Sequence, residues 1–503
     1  MNIHVLVCAL ITFASPLLAQ QGGEVTGDSA LAAGRAGAGN VLADSLLDGV
    51  RNPAALSFRF SQQGWKAKEG IVETHGRLLW QPLSGMSSAG LSFRDENVLA
   101  GGPWLSWGRP ISSDAFVSIS FVPAAAASAS FDRDTILNVK KDTSGDPSDP
   151  NAVWDVPVHH GVGVSNALTS VGLEPNISWR PTRELSFGVG ASLRGSLMDM
   201  GSATDVPISD MKGDLAGSTW GAILSQLLNA MFDAGLRPDV PDNFQVDYSA
   251  EATAPLQAFL KAGLLWQPAR SWRVGAWARS PSSESALNGS AMVDFGADLG
   301  FMLDAMREAG MIPGDFLEDP TSSFDLSIPR VQFPAQLGVS VAHFLPRRRE
   351  RVTADLVWTG WGAAFQNWEA TLSNPGNADV GEMLGGDGTT VLDLDMNWRD
   401  SLSFSAAWEK DISSRSTFRT GVGWSRNPVG GSPLPGLVPF NQLHLGVGFT
   451  RWGKSNSGDL HVSFVAALPE TWTTGDNAVL SDFSGDSYTQ ADYAFVVGWS
   501  HAW

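Results

Sequence analysis

Few residues in this sequence are placed to make or break bonds. His159 and His160 stand side by side, but no carboxylate pair accompanies them at metal-ligand spacing. His444 and His461 fall on the inward phase of alternating segments, and the sequence names no serine partner for either. The single cysteine, Cys8, lies in an N-terminal apolar stretch, so the remaining chain can hold neither a disulfide framework nor a thiolate metal site. No catalytic group, cofactor or metal is expected. Better candidates do binding chemistry. Arg194, Lys261 and Arg419 also point inward by alternation, where a cation would suit a ligand carboxylate, since an unpaired buried charge is costly. A competing reading pairs them with inward carboxylates such as Glu409 or Asp355. A further set is apolar. Trp220, Leu224, Leu228 and Met231 recur at helical spacing within 214–235, and Leu299, Met302, Leu303 and Met306 within 297–310. Ser218 reads as a cap of the first helix, and Gly235 and Gly310 as stops. Methionine-rich helical faces adapt to greasy ligands, although such helices can equally serve as plain covers.

The elements that must position these residues are strands. In 443–449, Leu443, Leu445, Val447 and Phe449 alternate with His444, Gly446 and Gly448. The same period of two runs through 186–194, 402–408, 417–425 and 460–468, and the chain ends Phe495, Val497, Trp499 and Trp503. One face is large and apolar, the other glycine, serine and an occasional charge, as in a membrane barrel with lipid outside and a lumen inside. A soluble sandwich would show the same alternation facing a core. Connection lengths favour the barrel. Short ones at 110–114, 181–184, 268–272, 346–351, 410–415 and 452–458 alternate with long ones near 132–168, 198–255, 281–325, 370–391, 426–440 and 470–490. Tight periplasmic turns and long external loops give that rhythm. The count predicts an all-β, antiparallel transmembrane barrel of about fourteen strands, with short helices in external loops. Segment 66–95 reads as one long strand or as a hairpin, Gly70–Trp80 and Met86–Phe93.

Composition agrees. Charged residues are 17% of 503, below the quarter or so usual in soluble domains, and Trp (20) far outnumbers Tyr (3). A net charge of −19 argues against nucleic acid and suits acidic loops near lipopolysaccharide. Val5 to Leu18 is too short for a membrane helix and reads as the core of a signal peptide ending at 19. Residues 20–57 lack alternation and are rich in Ala and Gly, which predicts a hatch in the lumen of a barrel spanning 58–503. The run Arg347-Arg348-Arg349 with Arg351 falls in a periplasmic turn, where phospholipid phosphates are the expected partners.

Several stretches resemble the FadL/TodX family of outer-membrane transporters of long-chain fatty acids and aromatic hydrocarbons. They are Gly34–Gly39, Ala43-Asp44, Arg51-Asn52-Pro53-Ala54, Trp179-Arg180-Pro181, Ser186–Gly190, Asp355–Trp361, Trp398-Arg399-Asp400 and 417–428, in order over residues 27–503. The resemblance implies a fourteen-stranded barrel, a hatch carrying Asn52, Pro53 and Ala54, and an external hydrophobic capture groove. It further implies a lateral opening made by a kink in the third strand. That strand, 115–131 by count, contains Pro123 followed by Ala124, Ala125, Ala126 and Ala127, and proline breaks ladder pairing. The implied function is passive uptake of a hydrophobic small molecule by a monomer in the outer membrane. The rival expectation is a structural barrel serving a secretion or surface-attachment system.

Overall fold

The computed structural model describes residues 20–21, 24–25, 27–62, 70–87, 90–142, 153–207, 211–215, 217–233, 243–308, 310–365, 367–385, 387–395, 397–429, 442–453, 458–475 and 485–503. The proposed signal peptide and Cys8 lie outside them.

Fourteen antiparallel strands close into one barrel. They are β1 (Ile71–Met86), β2 (Ser92–Pro110), β3 (Ala115–Asp142), β4 (Val153–Trp179), β5 (Leu185–Pro207) and β6 (Asn243–Ala269). Four interrupted strands follow: β7 (Trp272–Arg279 and Ser285–Asp294), β8 (Thr321–Val331 and Gln336–Leu345), β9 (Glu350–Thr359 and Asn367–Ser373) and β10 (Thr390–Asp395 and Ser401–Ser413). The last are β11 (Ser416–Ser425), β12 (Leu443–Arg451), β13 (Asp459–Thr473) and β14 (Ser487–Ala502). Pro281 and Pro334 lie in the first two interruptions, where a residue without an N–H cannot continue a ladder. Closure joins β14 to β1, from Ser487↔Met86 to Ala502↔Ile71. Gly70 and Trp503 then exchange both backbone bonds, at 3.3 and 3.1 Å.

Burial decides between barrel and sandwich. Along β12 the large residues are outside and the small ones inside: Leu445 is 44% and Phe449 41% exposed, while His444 and Thr450 are fully buried. A soluble core would reverse that pattern, because burying a Leu or Phe side chain stabilises by about 1.5–3 kcal/mol. Outward residues such as Leu78, Ile177, Val189 and Val339 repeat it around the wall. Acyl chains supply the apolar surroundings that these side chains lack in the chain itself.

Several expected boundaries move. The described part of 66–95 belongs to two strands rather than one, with the first running on to Met86 and the second starting at Ser92, so the first external connection is short and breaks the expected alternation. Much of 132–168 is strand rather than loop, because β3 and β4 pair out to Asp142↔Val153. His159 and His160 therefore lie in β4, with their side chains outside the described residues. Strands likewise occupy both ends of 198–255.

The hatch fills the lumen with three short helices: α1 (Ala30–Ala33), α2 (Asp48–Arg51) and α3 (Ala55–Gln62). The last runs past the expected limit at 57. Ser29 caps α1 by accepting from Ala32 N at 3.1 Å, and Asp48 accepts from Asp44 N and Ser45 N at 2.7 and 2.9 Å. Outside the wall, α4 (Trp220–Asp233) and α5 (Gly296–Glu308) take the two expected helical positions. Thr219, not Ser218, caps α4 by accepting from Ala222 N at 3.2 Å. Gly310, at φ +67°, ends α5, and the bond from Met311 N to Met306 O completes a Schellman turn. Gly235 lies outside the described residues.

Candidate functional site

The hatch is seated on glycines. Asn52 follows α2 and makes a tight turn in which its Oδ1 accepts from Ala54 N at 3.1 Å and its backbone O from Ala55 N at 3.0 Å. Its Nδ2 reaches Leu264 O at 3.5 Å. Below this turn, Gly188 on β5 and Gly263 on β6 stand directly opposite each other. A Cβ at Gly188 would lie 2.3 Å from Ala54 N, and one at Gly263 would lie 2.1 Å from Asn52 Oδ1. Any side chain there would unseat Asn52, Pro53 and Ala54. Ser186 Oγ donates to Ala54 O at 2.8 Å and meets Ser57 Oγ at 2.6 Å. Gly188 and Gly263, with Gly421 against Arg35 and Gly446 against Ala33, thus mark the footprint of the hatch.

On the β7–β11 side the hatch is tied by ion pairs and charge-assisted hydrogen bonds. Arg35 pairs with Asp44 and, at 3.2 Å, with Glu409. Arg351 bridges the same two carboxylates, and Arg419 holds Glu409 at 2.9 Å. Asp355 Oδ2 accepts from Gly39 N and Asn40 N at 2.8 and 3.1 Å. Arg273 donates to Val41 O and Leu42 O, both at 2.8 Å. Contrary to the expectation from sequence, Arg351 therefore does not lie in the turn with Arg347, Arg348 and Arg349. It is the second residue of β9 and faces the lumen, because the turn ends at Arg349, two residues before the end of the charge run.

The three inward cations are all paired with wall carboxylates. Arg419 is on Glu409, while Lys261 and, at 3.5 Å, Arg194 share Glu174. Ser192 Oγ donates to the same Glu174 oxygen at 2.6 Å, Lys261 Nζ reaches Val50 O at 3.0 Å, and the Arg194 guanidinium lies 4.7 Å from the Phe259 ring centre. The competing reading of these residues is the one the geometry favours. Glu174 was missed, although the outward phase of Leu173, Ile177 and Trp179 assigns it to the lumen. His444 and His461 do point inward. His461 meets Thr450 Oγ1 at 2.9 Å and Ser500 Oγ at 3.3 Å, but the Asp459 carboxylate sits on the Ser500 hydroxyl, which is not the serine–histidine–acid order of a hydrolase.

The wall changes character between β2 and β3. Among the described residues, their ladder runs only from Pro110↔Phe116 to Leu105↔Phe121. Beyond that, β2 continues on β1 as far as Met86↔Ser92, and β3 continues on β4 with a bulge between Pro123 and Ala125. Pro123 thus stands two residues past the last rung. Ala124, Ala125 and Ala126 continue the strand, with their side chains outside the described residues. Beside the gap the lumen is apolar. Leu79, Trp104, Val122, Val465, Ala494 and Val496 of the wall pack on Ala30, Ala33, Leu47 and Val50 of the hatch. A second pocket wall, with Asp28, Arg51, Val122, Pro123, Arg194 and Lys261, links this patch to the Glu174 cluster.

Among the described residues, the inner faces of the external helices are closed by packing. Trp220, Leu224, Leu299, Leu303 and Met306 are all completely buried in one apolar core, where Trp220 stacks on Phe316 with centroids 4.9 Å apart. Leu228, Met231 and Met302 lie on these helices with side chains outside the described residues.

A family model described as outer membrane protein transport protein (OMPP1/FadL/TodX) matches residues 158–450. The fold is similar to the crystal structure of a Pseudomonas aeruginosa FadL homologue, at 14% identity and a TM-score of 0.65, covering 96% of this chain and 99% of that one. It is also similar to the Pseudomonas putida toluene transporter TodX (15% identity, TM-score 0.62, 95% and 99% covered). The Ralstonia pickettii toluene transporter TbuX gives 14% identity and a TM-score of 0.60, with 95% and 99% covered. Identities this low carry the fold and nothing finer. No curated sequence matches the chain. The family match spans more than half of the residues, and the chain belongs to the OMPP1/FadL/TodX family of outer-membrane transport proteins.

Proposed function

We propose that the protein takes up a hydrophobic small molecule, a hydrocarbon or long-chain fatty acid, and releases it sideways between β2 and β3. The observation that carries this reading is the end of the β2–β3 ladder at Leu105↔Phe121, beside an apolar lumen patch and Pro123. Unpaired backbone cannot face lipid without penalty, so a gap in a barrel wall calls for a reason. Toluene transporters among the similar structures favour an apolar cargo. Cargo enters where α4 and α5 pack, which requires the core around Trp220, Leu224, Leu299, Leu303 and Met306 to part, with Leu228, Met231 and Met302 on the same helices. A shift of the hatch at Asn52, Pro53 and Ala54 then admits it to the gap at Pro123, Ala124, Ala125 and Ala126. Transfer of apolar surface into the bilayer drives the process, and no energy source is needed. If the cargo is an acid, Lys261 and Arg194, which line a pocket with Pro123, are the better placed of the three candidates, and Glu174 must yield one of them; Arg419, deep in the hatch network, is the poorest.

Cells making the full chain should accumulate labelled toluene or oleate faster than cells without it. Pro123→Val should slow that uptake with the barrel still folded. Equal uptake by wild type, Pro123→Val and Asn52→Ala would rule out the lateral route.

A further inference from the structure

Three neighbouring turns at the short-turn end of the barrel carry a concentration of arginine that the hatch and lumen do not use. Arg270 lies between β6 and β7, Arg347, Arg348 and Arg349 between β8 and β9, and Arg415 between β10 and β11. All five are exposed, in a chain whose net charge is −19. The turns are joined: Phe344 N donates to Ser271 O at 2.8 Å, and Arg349 donates to Ser413 O at 2.9 Å. Their carboxylates are already engaged, Glu350 by Lys410 at 3.1 Å and Asp411 by the Thr417 hydroxyl at 2.7 Å. None of the five arginines enters an ion pair among the described residues.

A second observation fixes their depth. Trp266 and Trp272, 50% and 45% exposed, point outward on either side of Arg270. Trp408 and Phe418 make an edge-to-face pair, with centroids 6.3 Å apart, near the base of the β10–β11 turn. Outward aromatic rings mark the boundary between hydrocarbon and headgroups. The arginines start where the rings stop, at the level of the lipid phosphates. Guanidinium groups bind phosphate oxygens two at a time, which a neutral polar turn cannot do.

We propose that the arc of turns from β6 to β11 binds the phosphates of anionic phospholipids in the periplasmic leaflet. The site orients the barrel and holds the wall on the side opposite the β2–β3 gap. This proposal is independent of what the protein transports.

The test uses the full chain in nanodiscs of phosphatidylcholine with increasing cardiolipin, with retained lipid read by native mass spectrometry and affinity by a fluorescent cardiolipin. Wild type should prefer cardiolipin, and salt should weaken the preference. Arg347→Gln, Arg348→Gln and Arg415→Gln should each lower affinity about fivefold at low salt, and together about a hundredfold. Arg349 is left intact because it ties two turns together. Lys212→Gln, Arg330→Gln and Arg399→Gln, at the opposite end, should leave affinity unchanged. Equal cardiolipin retention by wild type and the triple turn variant would overturn the proposal. So would binding of soluble polyglutamate without any preference for anionic lipid, which would make the arc a protein-docking surface.

Discussion

The hatch meets two unlike walls. Toward β5–β11 it sits on Gly188 and Gly263, accepts bonds from Arg273, donates to Asp355, and shares two carboxylates among Arg35, Arg351 and Arg419. Toward β2 and β3 the contacts are apolar, through Trp104, Val122 and Phe116, and the wall loses its ladder above Phe121. Directional bonds fix a position, whereas apolar contacts tolerate sliding. A plug held in this way has a fixed side and a yielding side, and the yielding side faces the gap.

The largest expected effect comes from breaking the fixed side. Glu409→Gln leaves Arg35 and Arg351 on Asp44 alone and takes from Arg419 the carboxylate it pairs with. Removing one partner of a buried ion network destabilises by about 3–5 kcal/mol. The variant should lose its heat-resistant folded band at a lower temperature and should admit small hydrophilic antibiotics past a loosened hatch. A melting point equal to wild type would mean that the ions follow the hatch rather than hold it. Next in size is Gly188→Val. Its Cβ would collide with the Ala54 backbone, and overpacking of this kind costs about 1–3 kcal/mol. It should leak as Glu409→Gln does while keeping the ion network.

The two walls also differ in how far sequence revealed them. The barrel was readable because its period of two is written in side-chain size, as in Leu443 to Phe449, and needs no knowledge of partners. The third strand and its Pro123 were readable for the same reason, since a missing N–H is local. The seat of Asn52-Pro53-Ala54 was not. Gly188 and Gly263 look like any inward glycine until the register places them opposite each other beneath a remote segment. Nor could the sequence choose between a ligand and Glu174 as the partner of Arg194 and Lys261, because that requires knowing which strands are neighbours. The long connections were misjudged because β3 and β4 pair through residues with no clean apolar alternation, beyond the membrane, where neither face needs to be greasy.

The yielding side can be tested by restoring its ladder. Trp104 and Val122 would form the next rung if the ladder continued past Leu105↔Phe121, and both are buried in the lumen. A disulfide between Trp104→Cys and Val122→Cys would extend the pairing across the base of the gap. Uptake of labelled hydrocarbon should fall about tenfold, equivalent to about 1.4 kcal/mol on the crossing barrier, and recover on reduction. The control is Ser106→Cys with Ser120→Cys, whose hydroxyls already meet at 2.8 Å within the paired region. That bond should form readily and leave uptake unchanged. Equal slowing by both pairs would point to general stiffening of the barrel rather than closure of an exit.

The smallest effect separates charge from geometry on the fixed side. Asp355 serves the hatch through one oxygen that accepts from two adjacent backbone N–H groups, Gly39 and Asn40. No cation takes part in those bonds. Asp355→Asn keeps a carbonyl oxygen in reach of both donors, so it should lower stability by about 1 kcal/mol, the difference between charge-assisted and neutral acceptance. Glu409→Gln also keeps an acceptor, yet it removes the countercharge of three arginines. If the two variants melt together, acceptor geometry governs both contacts and the distinction between seat and ion lock disappears. If Asp355→Asn stays within a few degrees of wild type while Glu409→Gln does not, the fixed side of the hatch is held chiefly by its charges.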